Sequence, residues 1–409
     1  MKNTAISDKA EGRGIKSGMQ RFLGLFKGTH RLCVEKRASG VTGQVLFSRI
    51  VAIIGAAIIV GMVLLIALSN KARFGEALER VFINRFFTKN IAMALRDAVP
   101  LIIATFGIAV AFRMKLWNIG GNGQMIAGSM FAYGAWFYMK DLPAWALVPL
   151  MMLAAMLGGA LCASVAAFTK TYLNVNETIT TLMMNYIMVQ LGAYMISLAG
   201  PWNAGTGFNN SLPIDKKVVL PMIGKSGVYV TVFIAVAIML VYYLVMNKSR
   251  WGYEMRVTGE NSNAAKYAGM PVKRNMVLAL LISGAIAGLA GYCVLAGNGG
   301  QNGFAPSAVG DVGFTAVMVA WLARLNPWGI AAMSLFIAGI TNGANSLQSF
   351  GVDQSIADFA RGLILLIILA VDYVTRFNIC IREKEPKSKN SADDTAKNTG
   401  DISKEAAKW

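Results

Sequence analysis

Uncharged amide side chains are concentrated in one short segment of the chain, which reads LWNIGGNGQMIAGS. Asn118, Asn122 and Gln124 lie in this segment among four glycines, and strongly apolar residues flank it on both sides. An amide donates and accepts hydrogen bonds without carrying a charge, so these residues suit a neutral, hydroxyl-rich solute. The alternative is a simple loop in which glycine allows neighbouring helices to approach closely.

Residues for covalent catalysis are scarce. His30 is the only histidine, which excludes a Ser/His/Asp or Cys/His arrangement. A phosphate-binding loop ending at Ser226 is also excluded, because Val219 stands where its first glycine is required. The four cysteines are far apart and show neither metal-site nor disulfide spacing. We therefore expect no catalytic residue, cofactor or metal in this chain, and we expect ATP hydrolysis only in a separate subunit.

The 409 residues are 55% hydrophobic and only 15% charged, with a mean hydropathy of +0.51. Apolar runs of about 20 residues recur along the chain, which is the length that crosses a bilayer core. The net charge of +18 does not indicate nucleic acid as a partner, because lysine and arginine concentrate at the two termini and in one central loop. Such clustering orients a chain in a lipid bilayer with its positive loops inside. The composition predicts an all-α polytopic membrane protein.

The hydropathy pattern predicts about ten transmembrane helices. In chain order, the expected spans are Ile50–Leu68, Ile91–Phe112, Ile119–Tyr138, Pro143–Phe168, Glu177–Leu198, Val228–Met246, Met276–Leu295, Val312–Ala323, Pro327–Leu347 and Ile356–Val374. With the N-terminus in the cytoplasm, ten spans return the C-terminus there too, and the basic head, the basic loop 247–275 and the basic tail all fall inside. The basic segment 70–90 then falls outside, and we interpret it as an amphipathic helix on the outer surface.

Three regions follow from this pattern. Residues 1–46 form a basic cytoplasmic head, and residues 47–376 form the transmembrane domain. Residues 377–409 form a cytoplasmic tail that is rich in polar residues and poor in bulky apolar ones. Such a composition predicts a disordered tail.

A second segment rich in glycine and amides, Ala296–Asp311, follows the seventh span as the first such segment follows the second. Spans two to five and spans seven to ten therefore form two matching sets. Because the sets start five spans apart, an odd number, they enter the membrane from opposite faces. Interrupted segments at matching positions of inverted halves point to a transport pathway. Unwound backbone is stable there only where it packs against protein or lines a wet cavity. Gln301, Asn302 and Asp311 accordingly become candidate pathway residues.

The longest cytoplasmic loop between spans reads NKSRWGYEMRVTGENSNAAKYAGMPVKRN. Asn261 or Asn263 can cap a short helix over Ala264–Ala268. Gly269 fits the left-handed position after that helix, and Pro271 lies just beyond it. The alanine face of this helix has too little bulk for a core of its own, which fits docking in a groove of another protein. An ordinary connector with basic anchors is the alternative.

Four motifs occur in an order that resembles one family. They are KLWNIGGNGQMIAGS, LNVNETITTLMMNYI, WGYEMRVTGENSNAAKYAGMPVKRN with LISGAIAGLAG, and FTAVMVAWLARLNPWGI. Together they look like the permease subunits of bacterial ABC importers for nucleosides and simple sugars, which are related to ribose and branched-chain amino acid permeases. The resemblance covers about Leu46 to Val374, and the head and tail lie outside it.

The resemblance implies partners for this chain. Such permeases pair with a second, related permease, with a cytoplasmic ABC ATPase and with an extracytoplasmic substrate-binding lipoprotein, in the bacterial cell membrane. The segment GENSNAAKYAGM resembles the helix that couples these permeases to the ATPase. The matching positions are Gly259, Asn261, Ala264, Ala265, Tyr267 and Gly269.

The family also implies a role for the start of the fifth span, where Glu177 and Asn185 are candidates for the pathway or for the contact between permeases. Asn122 stands where the family often has an acidic residue, a difference that bears on the solute. The expected function is nucleoside import, and the alternatives are a ribose-like sugar permease or a proton-coupled carrier. A proton-coupled carrier usually shows a relay of buried carboxylates or histidines, and no such relay runs through the predicted spans.

Overall fold

In the computed structural model, the described residues are His30–Lys36, 91–224, 227–297, 303–346, separate positions between 353 and 370, and Phe377–Glu383. The chain divides into two compact units. One unit comprises residues 1–54 and 370–409, and the other comprises residues 55–369.

A two-stranded antiparallel sheet lies in the first unit. Strand β1 (His30–Lys36) pairs with strand β2 (Phe377–Glu383), with His30 opposite Glu383. This sheet was not predicted, and β2 occupies the first seven residues of the segment expected to be disordered. Apolar and polar residues alternate in β2, but its partner strand is more than 340 positions away in the sequence. A pairing of that kind is not visible in a local pattern.

The described part of the second unit is helical. Its α-helices are α1 (Ile91–Arg113), α2 (Gly121–Met139), α3 (Ala144–Leu173), α4 (Glu177–Ile196), α5 (Thr231–Lys248), α6 (Arg250–Glu260), α7 (Ser262–Tyr267), α8 (Val272–Gly297), α9 (Val312–Leu322) and α10 (Pro327–Ser346). A short 3₁₀ helix, Pro306–Val309, precedes α9.

Five of the described helices are long and apolar enough to cross a membrane, namely α1, α3, α4, α5 and α8. Each coincides with a predicted span, and α2, α9 and α10 also lie where spans were expected. The predicted first span and the segment 70–90 lie outside the described residues. The total of ten spans and the inverted relation of the two halves remain predictions.

The five helices differ in how far the chain itself covers them. In α1 and α8, 78% and 67% of the apolar window is buried, so these two helices form the centre of the bundle. The corresponding shares are 39% in α3, 28% in α4 and 22% in α5. Because an apolar helix face must be covered by lipid or protein, α3, α4 and α5 are the helices available to the bilayer and to other subunits.

Glycine allows α2, α3 and α8 to pack closely. A Cβ atom added to Gly128 of α2 would overlap the backbone of Gly288 in α8, and one added to Gly288 would overlap the carbonyl of Ala155 in α3. Gly159 of α3 and Gly284 of α8 oppose each other in the same way. Helices in membranes associate mainly through van der Waals contact, so small residues at the crossing determine how near the backbones come.

Candidate functional site

Two side chains of the amide-rich segment, Asn118 and Gln124, are buried and hydrogen-bonded to each other. Asn118 is 0% exposed, and its Nδ2 donates to Oε1 of Gln124 over 3.0 Å and to Oγ of Ser283 over 2.8 Å. Gln124 donates back through Nε2 to Oδ1 of Asn118 over 3.0 Å, and the backbone N–H of Gly120 donates to the same oxygen. This reciprocal pair closes the turn before α2 and ties it to α8. We call Asn118, Gln124 and Ser283 the amide cluster.

A second set of hydrogen bonds joins α2 to α4. Oδ1 of Asn185 accepts from the backbone N–H of Gly123 over 2.7 Å, and its Nδ2 donates to the carbonyl of Ile119 over 2.9 Å. Thr181 accepts from the N–H of Ile119. A Cβ on Gly123 would meet the Asn185 backbone at 2.8 Å, so glycine allows this approach. The unwound backbone before α2 thus finds its hydrogen-bond partners in a neighbouring helix, as burial in lipid requires.

The start of α9, which directly follows the second interrupted segment, meets the start of α2 inside the bundle. The N–H of Gly313 in α9 donates to Oδ1 of Asn122 over 3.3 Å. A side chain at Gly313 would overlap the backbone of Asn122, so the starts of α2 and α9 are in direct contact. Ser283 lies about 16 Å along α8 from Val272 at a rise of about 1.5 Å per residue, which places the amide cluster near the middle of that helix.

Glu177 begins α4 and is largely buried. Its Oε2 lies 2.7 Å from Nζ of Lys170 at the end of α3, and its Oε1 accepts from the N–H of Trp117 over 3.4 Å. Asn176 caps α4 by accepting from the N–H of Thr178 over 2.9 Å. The carboxylate of Glu177 therefore joins the α3–α4 turn to the segment before α2, and its pairing with Lys170 was not predicted from the sequence.

Five of the predicted pathway residues therefore lie in one connected region, namely Asn118, Asn122, Gln124, Glu177 and Asn185. All five are buried, and each makes hydrogen bonds within the chain. In this conformation their polar groups hold the first interrupted segment and the start of α2 against α4, α8 and the start of α9. Gln301 and Asn302 lie outside the described residues.

Asp311 lies immediately before α9 and lines a cavity of about 250 Å³. Helices α1, α8, α9 and α10 and the 3₁₀ helix contribute residues to its lining. Its polar lining residues are Asp97, Asp311, Thr315, Thr341, Asn342 and Asn345. The three from α10, like Asp97 and Thr315, were not among the residues predicted from the sequence. Their positions 341, 342 and 345 on one face of an apolar helix are the signal that was available.

The loop between α5 and α8 forms two helices. Asn261 ends α6 and caps α7, because its Oδ1 accepts from the N–H groups of Asn263 and Ala264 over 3.0 and 3.1 Å. Gly269 has a φ of 74°, in the left-handed region, directly after the helix. Both predictions for this helix are thus confirmed, although α7 covers Ser262–Tyr267 and starts two residues before the predicted range.

Two of the predicted coupling residues, Ala265 and Gly259, make contacts inside the chain. Ala265 is 0% exposed and packs within the chain, so its side chain does not face a docking partner. The reason is that α7 contacts α6 and α8, and that contact covers one side of the short helix. Gly259 is also an internal contact, because a Cβ there would overlap the carbonyl of Arg113. Ala264 and Tyr267 are exposed, Tyr267 by 94%.

A bundle of apolar helices with a buried, hydrogen-bonded interruption before α2 and an exposed helical loop is typical of membrane transport proteins. Residues 90–371 match the family described as branched-chain amino acid transport system / permease component, and the chain belongs to this family.

Relatives align over most of the chain. The glucose ABC transporter permease protein TsgB13 of Haloferax volcanii is 32% identical, over 80% of this chain and 88% of its own length. The guanosine ABC transporter permease protein NupP of Bacillus subtilis is 30% identical, over 70% and 82%. The nucleoside ABC transporter permease protein NupB of Lactococcus lactis is 28% identical, over 77% and 88%. The chain is also similar to a second permease protein from each of these two bacteria, NupQ and NupC.

Proposed function

We propose that this chain is the membrane-spanning subunit of an ATP-driven importer that carries nucleosides into a bacterial cell. The observation that carries the proposal is its similarity to NupP and NupB, two permease proteins named for guanosine and nucleosides, over at least 70% of the chain. ATP hydrolysis is assigned to a separate cytoplasmic ABC subunit, since the sequence has no phosphate-binding loop. The chain itself then supplies the path, and no enzyme chemistry.

Helix α7 is the proposed docking element for the ATPase. Its exposed side, with Ala264 and Tyr267, is available to a partner, and its inner side is fixed on α6 and α8 through Ala265. A helix held in this way transmits a push from the ATPase to α8, which reaches the centre of the bundle. ATP binding then tilts the helices and switches the open side of the path.

A second permease subunit is the proposed partner of α4. Relatives from B. subtilis and L. lactis occur as two different permease proteins, which supports a heterodimer. The exposed face of α3 is aliphatic and suits lipid, with Leu153, Leu157 and Leu161. The exposed face of α4 carries Tyr186, Gln190 and Tyr194, spaced four residues apart. An amide facing hydrocarbon is costly, so this face fits protein or a wet path better than lipid.

The remaining parts of the importer follow from this arrangement. The cell membrane of a bacterium is the proposed location, with α7 on the cytoplasmic side. A substrate-binding lipoprotein is proposed to deliver the solute to the opposite side. Asn118, Asn122, Gln124, Glu177 and Asn185 are proposed to border the path once the helices tilt.

A simple-sugar permease is the second candidate, because TsgB13, with 32% identity, is named for glucose. Nucleosides and sugars share ring hydroxyl groups, and uncharged amides bind either. Two of the three relatives above are named for nucleosides or guanosine, which favours the first candidate.

Uptake of labelled uridine, guanosine and ribose tests the proposal. Cells that express the complete importer are compared with cells that lack only this chain, and with cells whose ATPase subunit is inactive. We expect nucleoside uptake that disappears in both controls. Uptake of ribose alone would select the sugar permease, and uptake that survives ATPase inactivation but needs the proton gradient would contradict an ATP-driven importer.

A further inference from the structure

Three helices present polar residues to the 250 Å³ cavity. Asp97 comes from α1, Asp311 and Thr315 come from the start of α9, and Thr341 and Asn342 come from α10. On α10 the lining continues one turn before and after these residues, so the whole row lies on one helix face. Polar rows from separate helices that meet at one cavity are typical of a binding site.

The side chain of Asn342 gives independent evidence for a ligand in this cavity. Its Nδ2 atom is buried and has no hydrogen-bond partner among the described residues. A buried donor left without a partner is costly, and native structures leave few such groups unexplained. A solute oxygen in the cavity would accept from this nitrogen.

The charges of the cavity select the class of solute. Two of its lining residues are carboxylates, Asp97 and Asp311, and its described lining includes no lysine, arginine or histidine. The carboxylate of Asp97 is paired with Arg96, whose Nε lies 2.9 Å from Oδ1, and the described lining itself presents no cation to a phosphate or carboxylate group of a solute. Carboxylate oxygens, threonine hydroxyls and an amide N–H are the groups that bind neutral hydroxyls, since together they donate and accept.

The cavity also has apolar lining residues. Pro100 and Leu101 of α1 line it, together with Val294 of α8 and Val309 of the 3₁₀ helix. A cavity lined by both polar and apolar residues fits a small molecule that carries hydroxyls on a carbon skeleton. A sugar ring, alone or with a base attached, has this character.

The position of the cavity along α8 indicates on which side of the membrane it lies. Val294 lies about 33 Å along α8 from Val272, at a rise of about 1.5 Å per residue. Val272 directly follows the α7 loop, so the cavity and the proposed ATPase-docking helix lie about one bilayer core apart. If α7 is cytoplasmic, the cavity is on the side from which an importer receives its solute.

We propose that this cavity is the outward-facing binding site of the permease, in which Asn342 donates to a ring hydroxyl of the solute and the carboxylates of Asp97 and Asp311 accept from others. The inference rests on the proposed function, because it assigns the binding step of that import. The ring belongs either to a nucleoside or to a free sugar.

Discrimination between a solute with ring hydroxyls and one without them tests the site. Initial uptake rates of uridine and 2′,3′-dideoxyuridine are measured with the complete importer, and ribose is measured in parallel. We expect Asn342→Ala to lower the uridine-to-dideoxyuridine ratio about tenfold, which is the loss of one good hydrogen bond. The binding lipoprotein is the same in every assay, so a change in the ratio belongs to the permease. A fall in ribose uptake without a change in the uridine ratio would mean that the bound ring is a free sugar.

Two further variants keep the test decisive. Thr341→Val preserves shape at the neighbouring lining position and should lower the same ratio, so it decides the matter if Asn342→Ala is absent from the membrane. Asn247→Ala removes an exposed amide at the end of α5, far from the cavity, and should leave the ratio unchanged. Thermal stability of Asn342→Ala should match the wild type, because Nδ2 has no partner to lose among the described residues.

The outcomes separate the two proposals. If the wild-type importer carries uridine but neither cavity variant changes the uridine ratio or ribose uptake, the cavity is not the binding site, and the importer assignment stands. If the wild-type importer carries neither nucleosides nor ribose, the proposed function fails and the cavity assignment fails with it.

Discussion

The amide cluster and helix α7 are built from similar residue types, yet they use them in opposite ways. In the cluster, Asn118 and Gln124 are buried and bonded to each other. In α7, Asn261 caps the helix, while Ala264 and Tyr267 remain exposed. Asparagine, glycine and alanine thus form an internal contact between helices in one place, and in the other they form an exposed helix that we propose as a docking surface. The proposed difference is whether the partner belongs to the same chain.

The largest expected effect is a loss of folded protein when the contact between helices α3 and α8 is overpacked. Gly288→Leu places a side chain against the carbonyl of Ala155, where no space exists. Overpacking costs about 1–3 kcal/mol and more when backbone is in the way, so we expect little folded protein. Size-exclusion chromatography of the solubilised importer measures this. Gly362→Leu is the matched control, since a Cβ there meets no atom of the described residues within 4 Å, and normal folding of both variants would refute the close-contact argument.

Asn118→Leu tests the amide cluster itself. The change leaves Gln124, Ser283 and the N–H of Gly120 without a partner, so we expect a loss of about 1–3 kcal/mol in the free energy of unfolding. Thermal unfolding of the purified importer is the measurement. Asn263→Leu, at an exposed position of α7, is the control on the other side of the comparison. An equal loss in both variants would show that the cluster has no special structural role.

Ala264→Trp and Ala265→Trp distinguish the two faces of α7. Ala264 is exposed, so a tryptophan there should leave the fold intact, block docking and lower uptake about tenfold, equivalent to about 1.4 kcal/mol. Ala265 is buried, so a tryptophan there should lower thermal stability first. Uptake, ATPase activity and unfolding temperature are measured for both variants. Normal uptake with Ala264→Trp would exclude this face as the docking surface.

Tyr267→Ala should have the smallest effect. The side chain is 94% exposed and makes no contribution to the interior, so stability should not change. Loss of one aromatic contact with a partner is worth about 0.5–1.5 kcal/mol, which predicts a fall of a few-fold in coupled uptake. Tyr267→Phe keeps the ring and should retain most of the activity. A drop in thermal stability instead would place Tyr267 among the structural residues.

Much of the fold was accessible from the sequence because membrane helices have a strong local signal. The five membrane-length helices, the cap at Asn261 and the left-handed Gly269 all lie where the pattern placed them. Their causes are local, since they depend on apolar run length, on a side-chain oxygen near free N–H groups and on the freedom of glycine. The pairing of β1 with β2 depends on distant segments and was missed.

The sequence by itself determined that the chain is an apolar helical protein with two interrupted segments and an exposed basic loop. Only the tertiary structure decided which polar groups are satisfied inside the chain. Asn118 and Asn185 find partners on other helices, Ala265 faces inward, and Asn342 has a buried donor at a cavity. Hydrogen bonding and burial depend on neighbours far away in the sequence, and residue type alone specifies neither.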